Sequence, residues 1–372
     1  MRRVLLSTPT GGTAWASSLA LCRALGERGV AVTLATLGAP LTAAQWHGLL
    51  GLPGLRVEQS TWRAEPTDAV WEDMDAAGAW LLELEARDAP DAVHLCGARH
   101  GVLPFRRAPL VVGLDCPLAW NEAVRGASAP ERDWLARWEV TRGLRAAGHV
   151  VTPSVDLLAS LERHHGPLPA ASVIPPGLSP ADFPPARVRE PFILATGAWW
   201  DEAHNLQVLE AVAPRVDWPV LVAGGREHPE GGQMRARSVR LLGELSSSAQ
   251  ASYLGRASLF VQPARQAWSD VAALEAGLAG CALVLADIPS LRERWEDAAV
   301  FVPPDDTDML ARALRRLVAE PALRGRMSTL ARTRALAFSP ERLADAYLAV
   351  YARLGEESQR VSSPLSQRAR AT

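Results

Sequence analysis

Short apolar runs and amphipathic stretches take turns along this chain, and their order predicts its architecture. Residues 4–7 are an apolar run of strand length, and Thr8-Pro9-Thr10-Gly11-Gly12 is a turn. Ala16, Leu19, Ala20 and Leu25 then recur at helical spacing up to a stop at Gly29. A second apolar run, residues 30–36, follows at once. A strand–helix–strand succession of this kind implies parallel strands joined by a right-handed crossover. Strand-like runs recur at 92–95, 110–114 and 149–152, with helical patterns at 69–87 and 132–147 between them. The alternation predicts an open α/β sheet.

A break follows, where Pro175, Pro176, Pro180, Pro184 and Pro185 crowd one segment and predict a rigid connection between domains. The alternation then restarts. Strands are expected at 192–196, 218–223, 238–242, 259–262, 282–286 and 300–302, and helices at 205–212, 247–256, 271–279 and 309–319. A last helix over 340–354 carries Leu343, Tyr347, Val350 and Leu354 on one face. The Ser/Arg-rich residues 356–372 read as a disordered tail. The expected division is therefore an N-terminal Rossmann-like domain (1–175), a C-terminal one (187–338), a terminal helix (339–355) and the tail. Doubly wound sheets bind ligands outside the carboxyl ends of their strands, so function is sought in the loops that leave them.

Composition narrows the classes. A chain of 372 residues with 48% hydrophobic and 22% charged residues is globular and long enough for two cores. A net charge of −2 gives no global field for nucleic acid, and none is expected as a partner. The sequence has no Lys, so Schiff-base and P-loop lysine chemistry is excluded. Cys22, Cys96, Cys116 and Cys281 are widely spaced and form no CxxC, which argues against zinc and redox motifs. The apolar run after Arg2-Arg3 is too short for a signal peptide, and no segment approaches membrane-spanning length. A cytoplasmic location is expected. Leu103-Pro104-Phe105-Arg106-Arg107 is apolar and basic, but its proline prevents an amphipathic helix, and it reads as a solvated loop.

Three strand-exit loops carry the candidate chemistry. Gly11-Gly12 opens the first helix, where a ligand can approach backbone N–H groups; its spacing matches neither GxGxxG nor a Walker loop. Gly197-Ala198-Trp199-Trp200-Asp201-Glu202-Ala203-His204 offers either rings that stack on a base or sugar and a cationic His, or an apolar plug capped by Asp201. Pro263-Ala264-Arg265-Gln266-Ala267-Trp268-Ser269-Asp270 leads into an apolar helix whose lone acid is Glu275. A carboxylate there needs hydrogen-bond donors, which two ribose hydroxyls would supply as well as a buried structural partner would.

These loops, together with Asp287-Ile288-Pro289-Ser290-Leu291-Arg292-Glu293, Asp297-Ala298-Ala299 and Pro303-Pro304-Asp305-Asp306, resemble glycosyltransferase family 4 over nearly the whole chain. The resemblance implies the GT-B fold, two Rossmann-like domains facing a central cleft. It implies transfer of a sugar from a nucleoside-diphosphate donor to a glycan, lipid-linked or small-molecule acceptor, with retention. No metal and no cofactor beyond the nucleotide-sugar co-substrate are implied. On the donor side it points to Gly11, Gly12, Gly197, His204, Arg265, Glu275, Ser290 and Leu291, with Glu275 on the ribose. Backbone N–H groups at Ser290 and Leu291 are expected to meet the diphosphate. On the acceptor side it points to Thr13, His100 and Trp120.

The sequence also departs from the family pattern. Ala198 stands where an Arg is usual, His204 for a Lys, Ala267 for the first Glu of Glu-x7-Glu, Asp270 for a glycine, Leu114 for a His and Pro176 for an Asn. Losing one donor to a developing oxyanion costs about 2.7–4 kcal/mol of transition-state stabilisation. Arg226, Arg256 and Arg265 are the cations that could compensate. The alternative is a catalytically degenerate relative that acts as a binding or partner subunit. Asp73-Met74-Asp75, which matches the DxD string of a metal-dependent fold, lies within an expected helix and reads as solvated surface.

Overall fold

The computed structural model describes residues 1–62, 71–113, 116–126, 134–227 and 235–361. The chain forms two compact units. One comprises Met1–Cys116, Ala129–Gly177 and Pro340–Thr372, and the other Pro117–Ser128 and Leu178–Ser339. Each is built on a parallel sheet with helical crossovers, the α/β architecture the alternating pattern predicts.

In the first unit the strands are β1 (Arg3–Pro9), β2 (Ala31–Leu37), β3 (Leu55–Gln59), β4 (Ala92–Cys96), β5 (Pro109–Val112), β6 (His149–Thr152) and β7 (Ala171–Val173). Their order is β3-β2-β1-β4-β5-β6-β7, every pair parallel. Val4, Leu5 and Leu6 are fully buried because β1 is central and covered on both faces. The helices are α1 (Gly12–Glu27), α2 (Ala43–Leu49), α3 (Trp71–Asp88), α5 (Trp134–Ala146), α6 (Val155–His165) and α13 (Pro340–Val361), while α4 (Pro117–Arg125) belongs to the other unit. The alternation in sequence does not reveal β3 or β7. Both lie at sheet edges, half exposed, so neither carries a continuous apolar run.

The terminal helix is part of the first unit's core. Leu343, Tyr347, Val350, Tyr351 and Leu354 pack with Leu6, Leu25 and Leu34. The helix also runs past residue 355. Residues 356–361, expected in a disordered tail, continue α13 because Glu356, Glu357, Gln359 and Arg360 favour helix once the buried turns have nucleated it. Residues 362–372 lie outside the described residues.

The second unit holds β8 (Glu190–Thr196), β9 (Val220–Ala223), β10 (Arg240–Gly243), β11 (Ala257–Gln262), β12 (Ala282–Ala286) and β13 (Ala299–Val302) in the order β10-β9-β8-β11-β12-β13. Its helices are α4, α7 (Leu206–Val212), α8 (Ser247–Arg256), α9 (Val271–Leu278), α10 (Pro289–Trp295), α11 (Thr307–Ala319) and α12 (Pro321–Ala335). Strand order reverses between β1 and β4 in one sheet and between β8 and β11 in the other. A crevice opens at such switch points, at the carboxyl ends of the strands. The loops singled out in the sequence leave β1, β8 and β11, the strands that make these reversals. None of the four cysteines is in a disulfide, and no helix among the described residues is long and apolar enough to cross a membrane.

Candidate functional site

The loop after β8 is organised from within. Asp201 caps a 3-10 turn over Glu202–His204 by accepting from the Ala203 N–H at 2.9 Å. Trp199 is buried, its Nε1–H donating to the Ala223 carbonyl at 2.8 Å and its ring edge-on to His204. Trp199 is thus the apolar plug, and the stacking reading is left to the half-buried Trp200. The His204 imidazole rests against Gly197, where a β-carbon would stand 2.4 Å from Nδ1. Burial pushes the His204 pKa below the usual range, with Asp201 opposing more weakly. A neutral imidazole does not replace the charge of a Lys, which favours the apolar-plug reading of this loop over the cationic one.

Asn205, next in sequence, takes a left-handed conformation (φ 58°) and is buried. Its Nδ2 reaches the Pro263 carbonyl (3.1 Å), the Pro304 carbonyl (2.9 Å) and Asp305 Oδ1 (3.3 Å). One side chain therefore ties together the exits of β8, β11 and β13. Gly224 (φ 125°) is equally constrained, since a β-carbon there would fall 1.9 Å from the Gly197 carbonyl oxygen.

The three arginines separate clearly. Arg265 donates from Nε and Nη2 to Asp305 Oδ1 at 3.0 and 2.8 Å, and its backbone N–H bonds Ala203. Its charge is already matched. Arg256 pairs with Glu190 at 3.0 Å, at the start of β8, which is the amino edge of the sheet. It lies at the wrong end of the strands to compensate. Arg226, just past Gly224-Gly225 at the carboxyl edge, is half-buried and has no hydrogen-bond or ion-pair partner among the described residues.

Asp270, at the head of α9, is buried in an ion pair with Arg294 and accepts from Trp295 Nε1 at 2.7 Å. Glu275, further along α9, is half-buried and accepts from Gln250 Nε2 of α8 at 2.6 Å. Burial pushes its pKa up to about 7, and the Gln250 hydrogen bond only partly offsets this. Three buried polar atoms here have no protein partner: Gln262 Oε1, the Ser269 hydroxyl and the Ser290 hydroxyl. Gln262 ends β11, Ser269 lies in the loop that leaves it, and Ser290 lies in the first turn of α10, after the neighbouring strand β12. Buried polar groups are seldom left unsatisfied, so each of these atoms is open to a bond from a polar ligand or water. Leu291 departs from expectation. Its side chain is fully buried, and its N–H donates to the Ile288 carbonyl at 3.2 Å in a tight first turn, so that donor is already used.

In the first unit, Gly11 is the extended residue before α1, and Gly12 has φ 71°, which favours glycine. A β-carbon at either would meet nothing within 4 Å, so the first turn of a 16-residue helix faces open space with no side-chain cap. Thr13 follows in the same turn. His100 has a partner within its own unit. Its Nε2 lies 3.2 Å from the Met74 carbonyl, it packs on α3 beside Gly78, and burial lowers its pKa. This contact gives His100 a structural role in holding α3. Trp120 groups with the second unit, donates to Asp201 Oδ1 at 3.2 Å, and carries the Arg125 guanidinium 5.0 Å over its ring. Leu114 lies outside the described residues. Asp73 and Asp75 sit within α3, and no group of three or more His, Cys, Asp or Glu side chains converges on a metal position among the described residues.

Comparisons with known proteins agree with this architecture. The family described as Glycosyltransferase Family 4 matches residues 14–182, and that described as Glycosyl transferases group 1 matches residues 190–320. No curated protein sequence matches the chain. Among solved structures, sucrose-phosphate synthase from Thermosynechococcus elongatus superposes with a TM-score of 0.78 at 18% identity, over 95% of this chain and 99% of that one. Anabaena HepE in complex with UDP and glucose gives 0.73 at 13% identity, over 95% and 99%. A glycosyltransferase from Rickettsia africae gives 0.69 at 13% identity, over 95% and 98%. At such identities the likeness concerns the fold.

Proposed function

The chain belongs to the GT-B glycosyltransferases of the family 4 and group 1 type, and from that premise we propose that it moves a sugar from a nucleoside-diphosphate donor to an acceptor with retention. The observation that carries the reading is Glu275, a half-buried carboxyl whose pKa burial holds near 7 and whose one hydrogen-bonding partner among the described residues is Gln250. Two ribose hydroxyls donating to it would satisfy the oxygens that Gln250 leaves open. Ser269, Gln262 and Ser290 offer further unsatisfied polar atoms nearby in the fold, and Arg226 supplies a cation for the diphosphate. The acceptor is a glycan, a lipid-linked sugar or a small molecule, and the location is cytoplasmic. The reaction needs no metal ion, so transfer persists in EDTA.

Calorimetric titration with UDP, GDP and their sugars tests the donor site. Binding that is lost in Glu275→Ala supports it, and no binding at millimolar nucleotide would sink it.

The second reading, a non-catalytic binding subunit, is favoured by the phosphate side. His204 is held neutral, Ala198 and Ala267 offer no polar group, and Arg265 is paired with Asp305. Restoring Ala198→Arg, His204→Lys and Ala267→Glu together separates the readings, once circular dichroism shows the variant folded. Transfer activity gained by that variant and absent from the parent decides for the degenerate subunit.

A further inference from the structure

Helix α5 carries a surface that the sugar-transfer reading does not use. Trp134 is 65% exposed and Trp138 48%, a large aromatic area to leave in water. The two stand one helical turn apart. Arg137, Thr141, Arg142 and Arg145 continue the same stripe at spacings of three and four, and the three arginines are exposed. The helix's acid, Glu139, lies off this stripe and faces Arg99 at 3.6 Å. Inward, Gly143 and Leu144 are buried. Among the described residues, the exposed face of α5 therefore holds two indoles, three guanidinium groups and no carboxylate, on a chain whose net charge is −2.

The cations are held in place. The Arg142 guanidinium sits 4.5 Å over the Trp138 ring. Arg137 donates to the His164 carbonyl and Arg145 to the His165 carbonyl, both at the end of α6. Indole side chains favour the boundary between hydrocarbon and headgroups, and guanidinium groups beside them meet lipid phosphates. A convex helix face with two neighbouring rings offers no groove to track a polynucleotide backbone.

We propose that the exposed face of α5 docks on an anionic lipid surface, with Trp134 and Trp138 entering the headgroup layer and Arg137, Arg142 and Arg145 meeting lipid phosphates. The 13-residue helix lies in the plane of the interface and spans nothing.

Flotation of the full chain with phosphatidylcholine vesicles, with and without phosphatidylglycerol, tests the inference. Binding is expected only to the anionic vesicles, weakening as salt rises. Arg142→Gln should weaken it roughly fivefold, the effect of one cation near such a surface. Trp134→Ser with Trp138→Ser should abolish it, whereas Val188→Ser, which removes an apolar side chain exposed elsewhere, should leave it unchanged. If the double Trp variant misfolds by circular dichroism, Arg142→Glu takes its place and should abolish binding alone. The proposal is overturned by no flotation with anionic vesicles at low salt, by equal flotation with neutral ones, or by a folded double variant that floats like the parent. Tighter binding to a DNA oligomer than to the vesicles also overturns it and assigns the face to a polyanion.

Discussion

The imidazole of His204 occupies the space that a side chain at Gly197 would need, with Nδ1 2.4 Å from the position of a β-carbon. The glycine is therefore required by the histidine as much as by any ligand. Gly197→Ala should destabilise the protein by about 1–3 kcal/mol, the usual cost of overpacking a filled site. Adding His204→Ala should recover most of that loss, because the clash disappears with the ring. Urea denaturation of the two variants measures both effects. A double variant no more stable than Gly197→Ala would mean that the backbone at 197, not the ring, sets the constraint.

Glu275 links the donor reading to pH. Its folded pKa is raised from 4.5 to about 7, so burial favours the protonated form. The cost of holding the carboxylate in the folded state is absent below the unfolded pKa and grows as pH rises toward 7. Stability contributed by this group therefore falls between pH 4.5 and 7 and is flat above. Nucleotide affinity should run the opposite way, since only the carboxylate accepts from both ribose hydroxyls. UDP affinity should fall about tenfold per pH unit below 7 and level off above it. Glu275→Gln should bind weakly and without this slope, and Gln250→Leu should move the midpoint upward. Calorimetry across that range reads all three.

The sheets and most crossover helices were legible because buried parallel strands demand continuous apolar runs, which residues 4–7, 192–196 and 282–286 display. Side-chain partners were less so. Nothing in a linear pattern says that Arg265 will find Asp305, or that Arg256 ends at the amino edge against Glu190, because both contacts depend on how distant loops meet. Asn205 left a fainter signal: an Asn at the boundary between a turn and a helix often takes positive φ. Gln250 left none, since a Gln on an exposed-looking helix gives no hint of the acid across from it.

Asp270 is the departure with the largest structural consequence. It is 3% exposed and paired with Arg294, itself 6% exposed, so neither charge has water to fall back on. Asp270→Ala should cost about 3–5 kcal/mol, because it removes one partner of a buried ion pair. Asp270→Ala with Arg294→Met should restore part of the stability, since the buried Trp295 indole N–H still loses its acceptor. Guanidinium denaturation checks the order of the three proteins. Equal stability of the two variants would show that the Arg294 charge finds another partner.

Arg226 is the remaining test of the phosphate side, and its logic is one of elimination. A diphosphate at the carboxyl edge of the second sheet needs positive charge. His204 is held neutral by burial, Arg265 is matched by Asp305, and Arg256 lies at the other edge. Arg226 is half-buried at the correct edge and has no partner of its own among the described residues. A charge-assisted bond to phosphate contributes about 1.5–3 kcal/mol, so Arg226→Gln should weaken UDP binding roughly 10- to 100-fold. The stability of the folded chain should stay within about 0.5 kcal/mol, because no native contact is removed. Uridine, which lacks the phosphates, should bind parent and variant alike. If Arg226→Gln weakens uridine and UDP equally, Arg226 acts on the nucleoside and the diphosphate is held by backbone N–H groups alone.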